Sequence, residues 1–152
     1  MPPAGERART GRLSPAAVHD LLEQARAARA HAYAPYSRFP VGAALQARDG
    51  RIFTGVNVEN ASYGLTTCAE RTAVVSAMAA GARDFVAIAV AGPDDRLPCP
   101  PCGSCRQILH ESAPDLIVVT SRADGGPAVT SLRDLLPGPF DGAAVRRETP
   151  PP

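Results

Sequence analysis

Three cysteines and one glutamate stand at spacings that suit metal-assisted chemistry. Cys68 and Glu70 are separated by one alanine, and Cys102 and Cys105 follow in a Pro-Cys-Gly-Ser-Cys run that begins 31 residues after Glu70. Cysteine thiolates are zinc ligands, and a site with three protein ligands leaves the fourth tetrahedral position open for water. Glu70 lies two positions from a ligand, so it can reach that water as a general base without joining the metal. The pattern predicts a catalytic zinc site.

The fourth cysteine, Cys99, leaves a second interpretation open. Together with Cys68, Cys102 and Cys105 it could form a closed four-cysteine zinc site, which stabilises a fold without catalysing a reaction. Two prolines stiffen the chain between Cys99 and Cys102, whereas the Gly-Ser pair after Cys102 allows the tight turn that opens a helix. We therefore expect the three-cysteine site, with Cys99 as a spare thiol near its entrance or a small buried hydrophobe.

The predicted site needs positive charge nearby. Three thiolates on Zn²⁺ leave a net charge of −1, which weakens the activation of water. Arg71 directly follows Glu70 and is the candidate for donating hydrogen bonds to the ligating sulfurs and offsetting that charge. The alternative is that Arg71 is an ordinary surface residue of a helix.

Turn and capping residues predict the elements that position these groups. The Ser-Pro pair at 14–15 is a helix N-cap and first-turn signal, and the Asp-Gly pair at 49–50 is typical of a two-residue hairpin turn with positive φ angles. Cys68 and Cys102 each open a predicted helix, where the positive end of the helix dipole favours thiolate. The predicted elements are helices over residues 15–31, 68–80 and 102–111, a helical turn over 131–136, and strands over 41–47, 51–58, 85–91, 116–120 and 127–130.

These elements define a fold class. Strand and helix alternate after residue 85, which favours a parallel strand pair beside the antiparallel hairpin. We predict an α/β fold, a three-layer α/β/α sandwich around one mixed sheet of about five strands. A length of 152 residues with 45% hydrophobic content suits one domain, placed at 14–142. The flanking segments 1–13 and 143–152, rich in proline, glycine or charge, are predicted to be disordered tails.

Composition argues against several kinds of partner. The formal charge is +1, tryptophan is absent and aromatic residues make up 5%, so neither a basic footprint nor a stacking surface for a nucleic-acid polymer is expected. The sequence has no secretory signal pattern and no apolar run long enough for a membrane span, which predicts a cytoplasmic protein without a membrane partner. In that reducing compartment the four cysteines are better interpreted as metal ligands or thiols than as disulfides.

Two longer runs add a family resemblance. Residues 57–64, Asn-Val-Glu-Asn-Ala-Ser-Tyr-Gly, and residues 102–107, Cys-Gly-Ser-Cys-Arg-Gln, resemble runs of the small homotetrameric zinc-dependent cytidine deaminase family. The resemblance extends from about Ser14 to Phe140. It implies a cytidine deaminase-like fold, one Zn²⁺ per subunit, a small-molecule nucleoside substrate and a homotetramer with shared active sites.

The resemblance also implies roles for substrate-binding residues. Asn57 and Glu59 lie two positions apart at the end of a predicted strand and so project to the same side, and an amide beside a carboxylate suits ribose hydroxyls. The family assigns this role to the same positions and places Phe39 against the base. The alternative is that all three are ordinary strand or core residues.

Three further positions follow from the resemblance alone. It places the backbone of Ala69 near the base, and it implies that Tyr63 and Phe140 complete the pocket of a neighbouring subunit. It also supports the role of Arg71 beside the ligating sulfurs.

The sequence therefore predicts hydrolytic deamination of cytidine and deoxycytidine to uridine and deoxyuridine, in pyrimidine salvage. Glu70 would take a proton from water, protonate the ring and then deliver a proton to the departing ammonia. One alternative is a deaminase of a related aminopyrimidine such as blasticidin S, because the zinc and Glu70 chemistry would be the same. The non-enzymatic alternative is a structural-zinc interaction domain in which Glu70 merely decorates a helix.

Overall fold

The computed structural model describes residues 13–142. Most of both predicted tails, residues 1–12 and 143–152, lies outside that range. Leu13, the first described residue, packs against the apolar cluster beneath the first helix. No helix within the described range is long and apolar enough to cross a membrane.

A five-stranded mixed sheet forms the middle of the molecule. The elements are α1 (Pro15–Arg29), β1 (Gly42–Ala47), β2 (Ile52–Val56), the 3₁₀ turn η1 (Tyr63–Leu65), α2 (Ala69–Ala79), β3 (Phe85–Ala91), α3 (Gly103–Ser112), β4 (Ile117–Ser121), β5 (Pro127–Ser131) and α4 (Leu132–Leu135). The strand order is β2-β1-β3-β4-β5. Only the β3–β4 pair in this sheet is parallel, because helix α3 carries the chain across from one strand to the other.

Helices cover both faces of the sheet. Along β1, Ala43 and Leu45 belong to the apolar cluster under α2 and α3, whereas Ala44 belongs to the cluster under α1. The same alternation separates Ile88 from Ala89 in β3, as the two-residue repeat of a strand requires. The predicted three-layer α/β/α sandwich is confirmed. Each predicted helix and strand begins and ends within two residues of its expected bounds.

The hairpin between β1 and β2 differs from its prediction. The amide of Gly50 donates to the carbonyl of Ala47 at 3.0 Å, and the amide of Ala47 donates to the carbonyl of Arg51 at 2.9 Å. Within this turn only Gly50 has a positive φ angle, 91°. The connection is therefore a three-residue loop over 48–50 with glycine in the left-handed position, and the predicted two-residue turn was wrong. Both loops suit the right-handed twist of a hairpin, so the Asp-Gly signal alone does not separate them.

Two glycines let helices lie directly on the sheet. A Cβ atom at Gly42 would lie 2.0 Å from the carbonyl oxygen of Ala25 in α1. A Cβ atom at Gly55 would lie 2.3 Å from both the carbonyl oxygen of Ala69 and the amide nitrogen of Ala73 in α2. Only hydrogen fits in these spaces. Because Ala69 is the first residue of α2, the contact at Gly55 fixes where that helix begins.

We expect Gly55→Ala to lower the free energy of unfolding by about 2–3 kcal/mol, because the new methyl group must push α2 away from β2. Gly64→Ala is the matched control, since a Cβ there would meet nothing within 4 Å. Urea denaturation of the two variants and the parent protein measures the difference. Equal midpoints for the two variants would show that the helix can shift at little cost.

Candidate metal centre and active site

Two helix N-termini bring the three predicted ligands together. Cys68 is the N-cap of α2, Cys102 is the N-cap of α3, and Cys105 lies in the first turn of α3. The three Sγ atoms all lie within 4.8 Å of one another. The first amide groups of a helix have no partner inside the helix, and they carry the positive end of its dipole. Both helices therefore present favourable ends to the same group of sulfurs.

The sulfur cluster fits a zinc ion. A tetrahedral zinc centre with Zn–S bonds of about 2.3 Å has sulfurs about 3.8 Å apart, which is compatible with the spacing of these three atoms. Soft thiolate ligands select zinc over hard cations such as Mg²⁺. Because Cys68, Cys102 and Cys105 supply three donors and no fourth side chain joins them within residues 13–142, one coordination position remains for a small molecule.

The three thiols differ in acidity. Burial, followed by the charge of Glu70, raises the pKa of Cys105. Burial is also the main reason why the pKa of Cys68 is raised. Burial opposes ionisation of Cys102 as well, but hydrogen bonds from the Cys105 amide and from neighbouring thiols outweigh it and lower the Cys102 pKa. Cys102 is thus the easiest of the three to deprotonate, and a cation is needed to hold all three as thiolates.

Glu70 lies beside the cluster and is shielded from solvent. It is in the first turn of α2, and only 5% of its surface is exposed. Burial raises the pKa of its carboxyl group, and hydrogen bonds from its own amide and the Cys105 thiol oppose that shift in part. A buried carboxyl group with a raised pKa, next to a metal site, is the arrangement expected of a proton carrier.

Cys99 is not part of the cluster. Its Sγ atom is absent from the group of mutually close sulfurs found within residues 13–142. Burial, and next the charge of Glu70, raises the Cys99 pKa to about 11. The thiol faces Gly92, where a Cβ atom would lie 3.2 Å from Cys99 Sγ and 3.5 Å from the ring of Phe39. The geometry therefore favours the open three-cysteine site over the closed four-cysteine alternative.

A cavity of about 250 Å³ opens in front of Glu70 and the cluster. Its walls come from the loop before β1, the end of β2, the start of α2 and the loop before α3. The lining residues are Phe39, Val41, Asn57, Thr66, Cys68, Ala69, Glu70, Cys99, Pro100 and Cys102. The structure thus brings five of the predicted site residues into this one cavity besides Glu70.

Asn57 lines the cavity and also shapes it. Its side-chain oxygen accepts from the Val41 amide at 2.8 Å, and its side-chain nitrogen donates to the Phe39 carbonyl at 2.9 Å. These bonds fix the backbone on both sides of Pro40, so the Phe39 ring is held at the cavity wall with 48% of its surface exposed. One N–H of the Asn57 amide is left for a ligand.

Glu59 lies in a second, neighbouring cavity. Its carboxylate accepts from the amides of Tyr36 and Ser37 at 2.9 and 3.2 Å and from the Ser37 hydroxyl group. The hydrogen bond from that hydroxyl group, opposed by burial, is the main cause of the lowered Glu59 pKa. The second cavity, of about 210 Å³, is lined by Tyr36, Ser37, Glu59, Tyr63 and Thr66.

The other predicted residues differ in their burial and contacts. Ala69 is buried in the cavity wall. Tyr63 and Phe140 are 75% and 66% exposed. The Tyr63 ring lies 6.0 Å from the Tyr36 ring. Among residues 13–142, no hydrogen bond or ion pair of the half-buried Arg71 guanidinium is found.

Two arginines that the sequence did not single out hold the loop leading to Cys99. Arg26 donates to the carbonyl oxygens of Asp95 and Gly125 at 3.1 and 2.7 Å. Arg29 donates to the carbonyl of Gly92 and to the Asp95 carboxylate, the latter at 2.8 Å. Their only sequence signal was basic charge in the last turn of a helix, which is common without any such function.

Two further side chains tie the chain after β5 to the metal-binding helix. Arg106 donates to the carbonyl oxygens of Pro101 and Leu135, both at 2.7 Å. Gln107 donates to the carbonyl of Phe140 at 2.8 Å and accepts from its amide at 3.2 Å. Both residues belong to the run 102–107 that carried the resemblance, so their presence was visible in the sequence although their partners were not.

Comparison with known proteins identifies the class. Residues 16–121 match the family described as the cytidine and deoxycytidylate deaminase zinc-binding region. The chain belongs to this family, and with the three-sulfur site this confirms zinc as its cofactor.

Individual proteins similar to this chain are cytidine deaminases. The chain is 51% identical over 121 residues to a cytidine deaminase of Halalkalibacterium halodurans, covering 79% of this chain and 91% of the relative. A cytidine deaminase of Mycobacterium tuberculosis is 45% identical over 122 residues, or 80% and 87% of the two chains. A crystal structure of cytidine deaminase from Burkholderia pseudomallei superposes with a TM-score of 0.75 at 57% identity, covering 80% and 98%. The fold prediction and the resemblance to zinc-binding cytidine deaminases are both confirmed, and the homotetramer stays a prediction.

We expect Cys105→Ala to weaken zinc binding by more than about 100-fold. The substitution removes a metal ligand, which costs more affinity than removing a residue that only hydrogen-bonds to a ligand. Cys99→Ala is the matched control and should retain one zinc per chain. Metal analysis after dialysis against a competing chelator measures both variants. Loss of zinc from Cys99→Ala to the same extent would revive the four-cysteine site.

Proposed function

We propose that this protein is a zinc-dependent cytidine deaminase, which converts cytidine and deoxycytidine to uridine and deoxyuridine with release of ammonia. The observation that carries the proposal is the buried carboxyl group of Glu70 beside three mutually close sulfurs, Cys68, Cys102 and Cys105, at the end of one cavity. An open metal position and a proton carrier are the two parts that hydrolytic deamination needs. Family membership and the cytidine deaminases among its relatives point to the same reaction.

Glu70 is assigned the proton transfers. When bound, zinc supplies Lewis-acid activation of water at neutral pH. The Glu70 carboxylate accepts a proton from the attacking water and donates it to the ring nitrogen beside carbon 4. It then takes the remaining proton from the hydroxyl group added to carbon 4 and delivers it to the amine. The bond between carbon 4 and the amine breaks as the carbonyl group forms, so that ammonia leaves as a neutral molecule. Burial raises the Glu70 pKa, which stabilises the protonated carboxyl group between these transfers.

The rest of the cavity is assigned to binding the nucleoside. Phe39 encloses the base, and the backbone of Ala69 lies beside it at the start of α2. Asn57 and Glu59 bind the sugar with the bonding capacity that the loop over residues 36–41 leaves free. Arg71 offsets the negative charge of three thiolates on one Zn²⁺; its half-buried position without a partner among residues 13–142 leaves its donors available.

The proposal includes a homotetramer in which subunits share active sites. Three exposed aromatic residues, Tyr36, Phe39 and Tyr63, line the two cavities, and Phe140 near the end of the described chain is also exposed. Exposed aromatic side chains of this kind are typical of interfaces. Tyr63 and Phe140 are the residues proposed to complete a neighbour's pocket. A cytoplasmic enzyme of pyrimidine salvage is the setting that suits these substrates.

One alternative substrate keeps the same chemistry. A related aminopyrimidine such as blasticidin S would use Glu70 and zinc in the same way, and Asn57 with Glu59 favours a plain nucleoside instead. A structural-zinc interaction domain explains neither the open ligand position nor the buried carboxyl group of Glu70.

We expect Glu70→Gln to bind zinc normally while its kcat for cytidine falls by about 10³-fold or more, since an amide cannot carry the proton. Glu111→Gln makes the same chemical change at an exposed site on α3 and should leave kcat unaltered. The assay follows the ultraviolet change and ammonia release, with metal content measured in parallel. Substantial turnover by the metal-loaded Glu70→Gln enzyme would remove Glu70 from the reaction.

We expect Phe140→Ala to raise KM for cytidine by about 5- to 10-fold with little change in zinc content, because an exposed ring that closes a neighbour's pocket contributes to binding. Leu97→Ala, another exposed apolar residue, is the control. Light scattering reports the oligomeric state of both variants. An unchanged KM in Phe140→Ala, together with a monomeric parent protein, would contradict the shared site.

A further inference from the structure

Two cavities meet at one side chain. The first holds Glu70 and the sulfur cluster, and the second holds Glu59 between Tyr36 and Tyr63. Thr66 is the only described residue that lines both of them. It directly follows the turn η1, and its amide donates to the carbonyl of Tyr63 at 3.1 Å. That contact fixes Thr66 at the boundary between the two spaces.

The volumes suggest that the two cavities act as one site. They measure about 250 and 210 Å³, and pockets for small molecules usually measure about 300–1,000 Å³. Each is small by that standard, whereas the two together fall within the range. A nucleoside likewise has two parts, a base and a sugar, that are joined by one bond.

The Thr66 hydroxyl group has bonding capacity to spare. Its oxygen accepts from the amide of Asn60 at 3.4 Å, and within residues 13–142 its proton has no acceptor. Two other polar residues of these cavities have already used part of their bonding capacity. Asn57 bonds with the backbone around Pro40, and Glu59 with that of Tyr36 and Ser37. Thr66 therefore offers a free donor at the place where a nucleoside passes from one cavity to the other.

We propose that Thr66 is a substrate-contacting residue that donates a hydrogen bond to the sugar of the nucleoside, next to its bond with the base, and that the second cavity, which holds Glu59, receives the sugar. This inference rests on the proposed function. It adds a specificity residue that lies outside both of the runs, 57–64 and 102–107, that carried the family resemblance. The role depends on the hydroxyl group and not on the methyl group of the side chain.

The test compares Thr66→Val, which keeps the shape and removes the hydroxyl group, with Thr66→Ser, which keeps the hydroxyl group. Thr67→Val is the matched control, because Thr67 lines neither cavity and its backbone is paired with Val58. Zinc-loaded proteins are assayed with cytidine, deoxycytidine and 1-methylcytosine, which has the base without the sugar. Thermal melting and metal content are measured for every variant.

We expect Thr66→Val to raise KM for both nucleosides by about 3- to 10-fold, the effect of one lost hydrogen bond. Its kcat should stay within twofold, its kcat/KM for 1-methylcytosine should be unchanged, and Thr66→Ser and Thr67→Val should resemble the parent. Parent-like kinetics in Thr66→Val, or equal losses with 1-methylcytosine, would overturn the assignment. Failure of the parent enzyme to deaminate cytidine at all would instead overturn the proposed function, and this inference with it.

Discussion

The cost of ionising several acidic groups in one partly buried space is the constraint on which the rest of this structure depends. Three thiols and the carboxyl group of Glu70 share the space at the ends of α2 and α3. Burial raises the pKa of Cys68, Cys99 and Cys105, and the charge of Glu70 raises it further, so these groups resist ionising together. A bound zinc ion would stabilise the thiolates, and the two helix N-termini lower the remaining free-energy cost of ionising them. The fold must therefore hold both helix ends within a few ångströms of each other.

The sheet supplies that precision through close backbone contacts. Gly55 lets the first turn of α2 rest on β2, and the parallel β3–β4 connection carries α3 across the same face. The hydrogen bonds of Arg106 then tie the start of α3 to the chain after β5. Rigid elements hold the metal-binding side, as a preorganised site requires. The substrate side is built on a loop instead, with Asn57 and Glu59 as its supports.

The contacts of that loop could not be predicted from the sequence, whereas the sulfur cluster and the layers could. Spacing, helix caps and periodicity predicted that Cys68, Cys102 and Cys105 lie at two helix starts, and the structure brings their sulfurs together there. The layers followed from hydrophobic alternation, and the parallel strand pair followed from the helix crossover. The partners of Asn57 and Glu59 did not follow, since their hydrogen bonds reach backbone groups more than fifteen residues away. No local pattern encodes such contacts, and the same holds for Arg26 and Arg29 on α1.

In the loop over residues 36–41, the residues proposed to bind the sugar also hold the backbone in place. Arg38 has a φ angle of 56°, in the left-handed region that non-glycine residues seldom adopt. Its neighbours are held on both sides, Ser37 by Glu59 and the Phe39 carbonyl by Asn57. A strained residue persists only where its surroundings determine it so fully. Asn57 and Glu59 thus act first on the protein, placing Phe39 at the cavity wall, and only their remaining capacity is available to a ligand.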